Sequence, residues 1–139
     1  MKRLTHVAAL LLALALTGCA TSKVSHAPDA HLHELKTFYV AHLSNDGNGV
    51  DKLIAKRLNV LGYQCTSGDA QTPPSPVDAV VTYQDRWMWD ITMYMIRLNI
   101  QLHDGATGAI LANGEVMRPS LQRKSPEGMV EETLGVIFK

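Results

Sequence analysis

The sequence holds no apolar run long enough to cross a bilayer, which takes roughly 20 residues. The longest, Val7 to Leu16, is about half that length. A surplus of one charge is also missing, since 13 basic residues face 13 acidic ones. That balance argues against nucleic acid as a partner and against a polybasic membrane patch. Cysteine is scarce, with Cys19 and Cys65 alone in 139 residues. No nucleophile stands in a motif with a base and an orienting partner, and no glycine loop suits a phosphate. Neither an enzyme nor a cofactor is expected. Internal repeats and low-complexity tracts are absent too.

The N-terminus is informative. Lys2 and Arg3 precede the Val7–Leu16 stretch, a charged start and a short apolar core with the proportions of a signal peptide. The stretch closes on Leu16-Thr17-Gly18-Cys19, which resembles the lipobox of bacterial lipoproteins. In that family the cysteine thiol carries diacylglycerol, and cleavage leaves the lipidated cysteine first in the chain. The resemblance implies a signal peptide over residues 1–18, lipidation at Cys19 and stable anchoring through several acyl chains. Each buried CH₂ contributes roughly 0.8 kcal/mol. Because Ala20 follows rather than aspartate, it also implies an outer-membrane location facing the periplasm. Loss of Lys2 and Arg3 leaves a net charge of about −2.

Residues 19–35 are expected to be the lipidated cysteine and a flexible tether. "ATSKVSHAPDA" is small and polar without periodicity, and about 15 such residues span about 20 Å as a coil. Residues 36–139 suffice for one globular α/β domain. "KTFYVAH" reads as a strand, and Val50, Leu53, Ile54, Leu58 and Leu61 fall on one face of a helix ended by Gly62. "TPPSP" is extended and delivers the chain to the strand "VDAVVTYQD". In "MYMIRLNIQLH", Tyr94, Ile96, Leu98, Ile100 and Leu102 alternate against Met95, Arg97, Asn99, Gln101 and His103. "DGATG" is a turn with Gly108 suited to a positive φ, and "AILANGEVM" is a returning strand. Ser125 as N-cap and Pro126 at the first position open a closing helix that carries Met129, Val130, Leu134, Ile137 and Phe138. Cys65, in "GYQC", is expected to be buried at the start of a short strand.

The order β-α-β-β-β-α predicts an α+β fold, a single domain with a four-stranded mixed sheet and two helices on one face. This topology, with its anchor, is similar to that of small outer-membrane lipoproteins typified by the lipopolysaccharide-assembly lipoprotein that plugs a barrel. Residues 77 to 138, with "VTYQDRWMWDITMYM" and "RKSPEGMVEE", also resemble an uncharacterised family of small bacterial outer-membrane lipoproteins. These resemblances imply a type of protein and no specific activity.

"DRWMWD" is the most unusual local composition, holding both tryptophans of the chain. A hairpin with Trp87 to Asp90 as a four-residue loop satisfies the parity of the flanking strands, and so does a longer hairpin with a bulge. Trp87, Met88, Trp89, Asp90, Met93 and Met95 then form an aromatic tip and a patch beside the polar strand face, suited to a partner. The alternative is that the rings fold over the sheet end and complete the core. His26, His31, His33 and His42 invite a metal, but "HLH" supplies two ligands and no obvious third, so no metal site is expected. Arg118, Arg123 and Lys124 could meet phosphate or carboxylate groups, or be a solvated loop. Asp85 and Asp90 lack the cleft a glycosidase pair needs.

The sequence therefore predicts a non-enzymatic binding or assembly module, lipid-anchored to the outer membrane on its periplasmic face. Its partner is expected to be an envelope protein, lipopolysaccharide or peptidoglycan. The alternative is a periplasmic lipoprotein that binds a metal or small ligand through the histidine-rich segment.

Overall fold

The computed structural model describes residues 19–139, and the expected signal peptide, residues 1–18, lies outside them. The strands are β1 (Thr21–His26), β2 (Thr37–Ala41), β3 (Gln64–Gly68), β4 (Ala79–Asp90), β5 (Thr92–Asp104) and β6 (Ile110–Met117). The helices are α1 (Val50–Val60) and α2 (Pro126–Ile137), with 3-10 turns at Leu32–Glu34 and Ser120–Gln122. All six strands form one sheet in the order β1-β6-β5-β4-β2-β3. β2 runs parallel to β3 and β4, and the other neighbours are antiparallel.

The chain is a single α+β domain with a mixed sheet and two helices, but the four-stranded sheet is corrected to six strands. The two added strands lie at the edges, where side-chain pattern carries little signal. β1 comes from the segment expected as tether. Its side chains are mostly exposed, and backbone pairing with β6 holds it, from Thr21 opposite Met117 to His26 opposite Ala112. β3 buries only Cys65, whose thiol is pushed up to about 12 by burial. Short polar edges of this kind limit unwanted pairing with other chains. The remainder of the expected tether is folded as well, with Leu32 in the core and Ala30 and Leu35 against it. Among the described residues, Cys19 and Ala20 alone precede β1.

One face of the sheet is covered. α1 contributes Val50, Ile54 and Leu58, and α2 contributes Met129, Leu134 and Ile137, to a core shared with Phe38, Val81, Leu98 and Ile100. Gly114 on β6 lets α2 approach, since a Cβ there would stand 2.6 Å from Ile137 Cγ1. α2 opens as the sequence predicts, with Ser125 Oγ accepting from the Gly128 amide and Pro126 at its start. Gly62 and Gly108 take positive φ, 97° and 74°. α1 is capped from a distance. The Asp46 carboxylate accepts from the amides of Asn48, Gly49 and Val50 and from the Tyr83 hydroxyl. Burial alone would raise its pKa, but the Tyr83 hydroxyl and those amides outweigh burial and hold it below the usual carboxylate value.

Candidate functional site

β4 and β5 outrun the rest of the sheet. Arg86, Arg97, Met117 and Thr21 form the last row that crosses from β4 to β1. Beyond it only the β4–β5 hairpin continues, through Trp87 opposite Met95 to Asp90 opposite Thr92, and turns at Ile91. Five residues of strand carry the tip about 16 Å past that row. The four-residue loop is not formed. The longer hairpin is adopted, with a bulge.

That bulge, between Arg86 and Trp87, leaves Ile96 without a directly opposed partner and breaks the alternation along β5. Met95 therefore joins Leu98 in the core and is 0% exposed. Its expected place in the exposed patch is corrected: the extra residue turns it inward. The two tryptophans divide. Trp87 packs against the core, and its Nε1 donates to Asp85 Oδ2 at 2.6 Å. Trp89 is 70% exposed and stands opposite Met93, and Met88 and the 84% exposed Ile91 are exposed at the same tip. Asp90 is also exposed there.

The turn before α2 braces this arm. Arg123 Nη1 donates to Thr92 Oγ1 at 2.9 Å, and its guanidinium carbon lies 4.8 Å from the centre of the Tyr94 ring. Ser120 donates to the Asp90 carboxylate. Leu121, on the same turn, is 86% exposed. Nine large apolar side chains are exposed among the described residues, and five of them belong to this end: Met88, Trp89, Ile91, Met93 and Leu121. Arg118 and Lys124 are committed elsewhere, to Glu132 on α2. Burial would raise the Glu132 pKa, but Arg118, Lys124 and the Ser22 hydroxyl of β1 outweigh it and set the value at about 2.

The helix-free face of the sheet is polar. Arg86 and Arg97 oppose each other directly across β4 and β5, and neither side chain makes a hydrogen bond or ion pair with the described residues. Arg97 Nε is buried without a partner. With Gln84, Asp85, Asn99 and Glu115 they line a hollow of about 360 Å³. Two like charges in this register repel, and an anion placed between them removes the repulsion. No feature of the sequence pattern marks this pair, because the parity of the flanking strands leaves the register of β4 against β5 open.

The histidines separate into two groups. His31, His33 and Glu34 lie on the first 3-10 turn with their ligand atoms within 4.8 Å of one another, all exposed. Glu34 is the third donor that the sequence did not offer. His26 stands apart, its Nε2 donating to the Ile137 carbonyl at 2.7 Å. His42 lies 3.1 Å from the buried Asp51 and near Asp46. Both Asp46 oxygens already accept from amides and Tyr83, which makes this group a helix-capping network rather than a vacant cage.

No protein-family model and no curated protein sequence matches the chain. Solved structures match its fold. A point variant of the PelC dodecamer from Paraburkholderia phytofirmans is 15% identical with a TM-score of 0.62, over 84% of this chain and 95% of that one. A second PelC dodecamer structure from the same organism is 13% identical with a TM-score of 0.60, over 86% and 98%. A PDZ domain protein from Parabacteroides distasonis is 11% identical with a TM-score of 0.50, over 93% of this chain and 38% of that one. At these identities the likeness concerns the fold alone.

Proposed function

We propose that this protein is a non-enzymatic binding or assembly module of the cell envelope, anchored by lipid at Cys19 to the periplasmic side of the outer membrane. Its open sheet face receives an anionic group of another envelope component between Arg86 and Arg97. The observation that carries this reading is the directly opposed, unpartnered arginine pair, with Arg97 Nε buried in a polar hollow. Guanidinium forks match carboxylate and phosphate geometry. Gln84, Asn99 and Glu115 add donors and acceptors for neighbouring hydroxyls, which suits a phosphorylated or carboxylated saccharide. Two of the fold neighbours, both PelC, are dodecamers, and what they share with this chain is the fold.

Calorimetric titration of the detergent-solubilised protein with lipopolysaccharide and with soluble peptidoglycan fragments tests the site. Binding to one of them is expected, and Arg97→Gln weakens it about tenfold, the scale of a lost charged hydrogen bond. The same substitution leaves the melting temperature unchanged or slightly raised, because the cross-strand repulsion is gone. Equal affinity in the variant and the parent removes the reading.

A second reading rests on Glu34 joining His31 and His33. Two imidazoles and a carboxylate are a competent ligand set for zinc with a position left open. A flat trace on titration with zinc removes it.

A further inference from the structure

We propose that the tip of the β4–β5 arm is a second membrane contact, dipping into the same leaflet that holds the lipid on Cys19. The inference rests on the anchored reading and adds how the folded body is oriented.

Strand register carries the argument. β1 starts at Thr21, in the row of Met117, Arg97 and Arg86 from which the arm departs. β1 runs away from the arm, so the two residues before it, Cys19 and Ala20, lead toward the arm's end of the sheet. The lipid and the tip therefore leave the domain on the same side. Two extended residues place Cys19 about 7 Å beyond the row, and the tip stands about 16 Å beyond it. The tip thus overreaches the anchor by about 9 Å, comparable to the depth of about 5–10 Å at which interfacial elements bury their apolar faces. With no long tether, the body cannot drift away from the lipid.

The chemistry of the tip agrees. Trp89, Ile91 and Met93 are exposed at the end, and Leu121 is exposed on the bracing turn. Arg123, held between Thr92, Asp90 and Tyr94, sets a guanidinium beside them. An apolar end with an indole and a flanking cation fits the boundary between acyl chains and phosphate headgroups. β5 continues from there into Arg97, Asn99, Gln101 and His103, none of which suits a hydrocarbon environment. A lipid surface therefore fits the end of the arm and not its base.

Both tryptophans of the chain sit on the arm, so emission excited selectively from tryptophan reports on it alone. The Trp87→Phe protein leaves Trp89 as the single indole. It is purified with its lipid and reconstituted into vesicles of phosphatidylethanolamine and phosphatidylglycerol, with or without bromine on the acyl chains. A blue-shifted Trp89 emission, roughly halved by the brominated lipid, is expected. Replacing Ile91 and Met93 by glutamate restores the emission while the protein still floats with the vesicles. Red, unquenched emission from vesicle-bound protein overturns the inference. Blue-shifted emission that bromine leaves untouched, and that grows with protein concentration, overturns it in favour of a second copy covering the tip. The mass of the N-terminal peptide reads the anchor separately. An unmodified Cys19 sinks the anchored reading and takes this inference with it, whatever the fluorescence.

Discussion

The two hairpins at the ends of β5 are built on opposite rules. At one end the Asp104 carboxylate accepts from the amides of Ala106 and Thr107 and from the Thr107 hydroxyl, and Gly108 supplies the positive φ of 74°. These hydrogen bonds hold the Asp104 pKa below the usual carboxylate value. Asp104, Gly105 and Gly108 are residues that a tight turn favours. At the other end the turn passes through Ile91 at a φ of 63°, the one non-glycine residue with positive φ among the described residues. A left-handed conformation costs an ordinary L-residue about 1–2 kcal/mol, and β-branching makes it rarer still. The polar turn is what a chain does when only folding matters. The apolar turn accepts strain and exposure together, and such local violations concentrate at functional sites.

The largest expected effect is at the well-behaved turn. A Cβ on Gly105 would overlap the Val77 carbonyl oxygen, and the Gly105 amide donates to Asp78. Gly105→Ala must push two backbones apart, which costs on the order of 3 kcal/mol. A large fall in melting temperature is expected in thermal unfolding, whereas substitutions at Trp89 or Met93 leave it nearly unchanged. If both ends respond alike, the distinction between a structural and an exposed hairpin fails.

Next is the carboxylate that ties the arm's end of the sheet together. Glu132 joins Arg118, Lys124 and Ser22, and its folded pKa of about 2 lies below the ordinary 4.5. A depressed carboxylate contributes stability above its unfolded pKa and loses it as pH falls through the folded one. Its share, on the order of 2 kcal/mol after allowing for solvent screening, is therefore present above pH 4.5 and gone near pH 2. Glu132→Gln should flatten unfolding free energy against pH over that window while the parent declines. An unchanged slope in the variant would place the acid sensitivity elsewhere, with Asp46 the first residue to examine.

How far the sequence could carry this picture depended on whether side chains or backbone did the work. α1, α2 and strands β4, β5 and β6 each bury a largely periodic apolar set, β2 buries an unbroken apolar run from Phe38 to Ala41, and their positions follow from these. β1 and β3 are not legible as members of the sheet for the reverse reason. "TSKVSH" exposes nearly every side chain and is held by amide and carbonyl groups that any sequence possesses. The bulge at Arg86 and Trp87 misled in a third way. Tyr94, Ile96 and Leu98 look like one unbroken face in the sequence, which puts Met95 on the opposite side from the core it joins. The candidate site suffered most, since Arg86 meets Arg97 only in one particular register of β4 against β5, and the parity of the flanking strands leaves several registers open. Cys19, by contrast, lies next to the first row of the sheet, so a motif legible from residues alone gained an orientation only when β1 was paired.

The smallest effect has the opposite sign and bears most directly on the two hairpins. Asparagine tolerates the left-handed region far better than isoleucine, and position 91 makes no core contact that its methyls would forfeit. Ile91→Asn should therefore stabilise the fold by about 1 kcal/mol, seen as a small rise in the unfolding midpoint. The same change takes an apolar side chain from the end of the arm, so quenching of Trp89 by brominated lipid should fall. Stability and membrane contact then move in opposite directions at one residue. A turn kept only for folding would gain on one measure and lose nothing on the other.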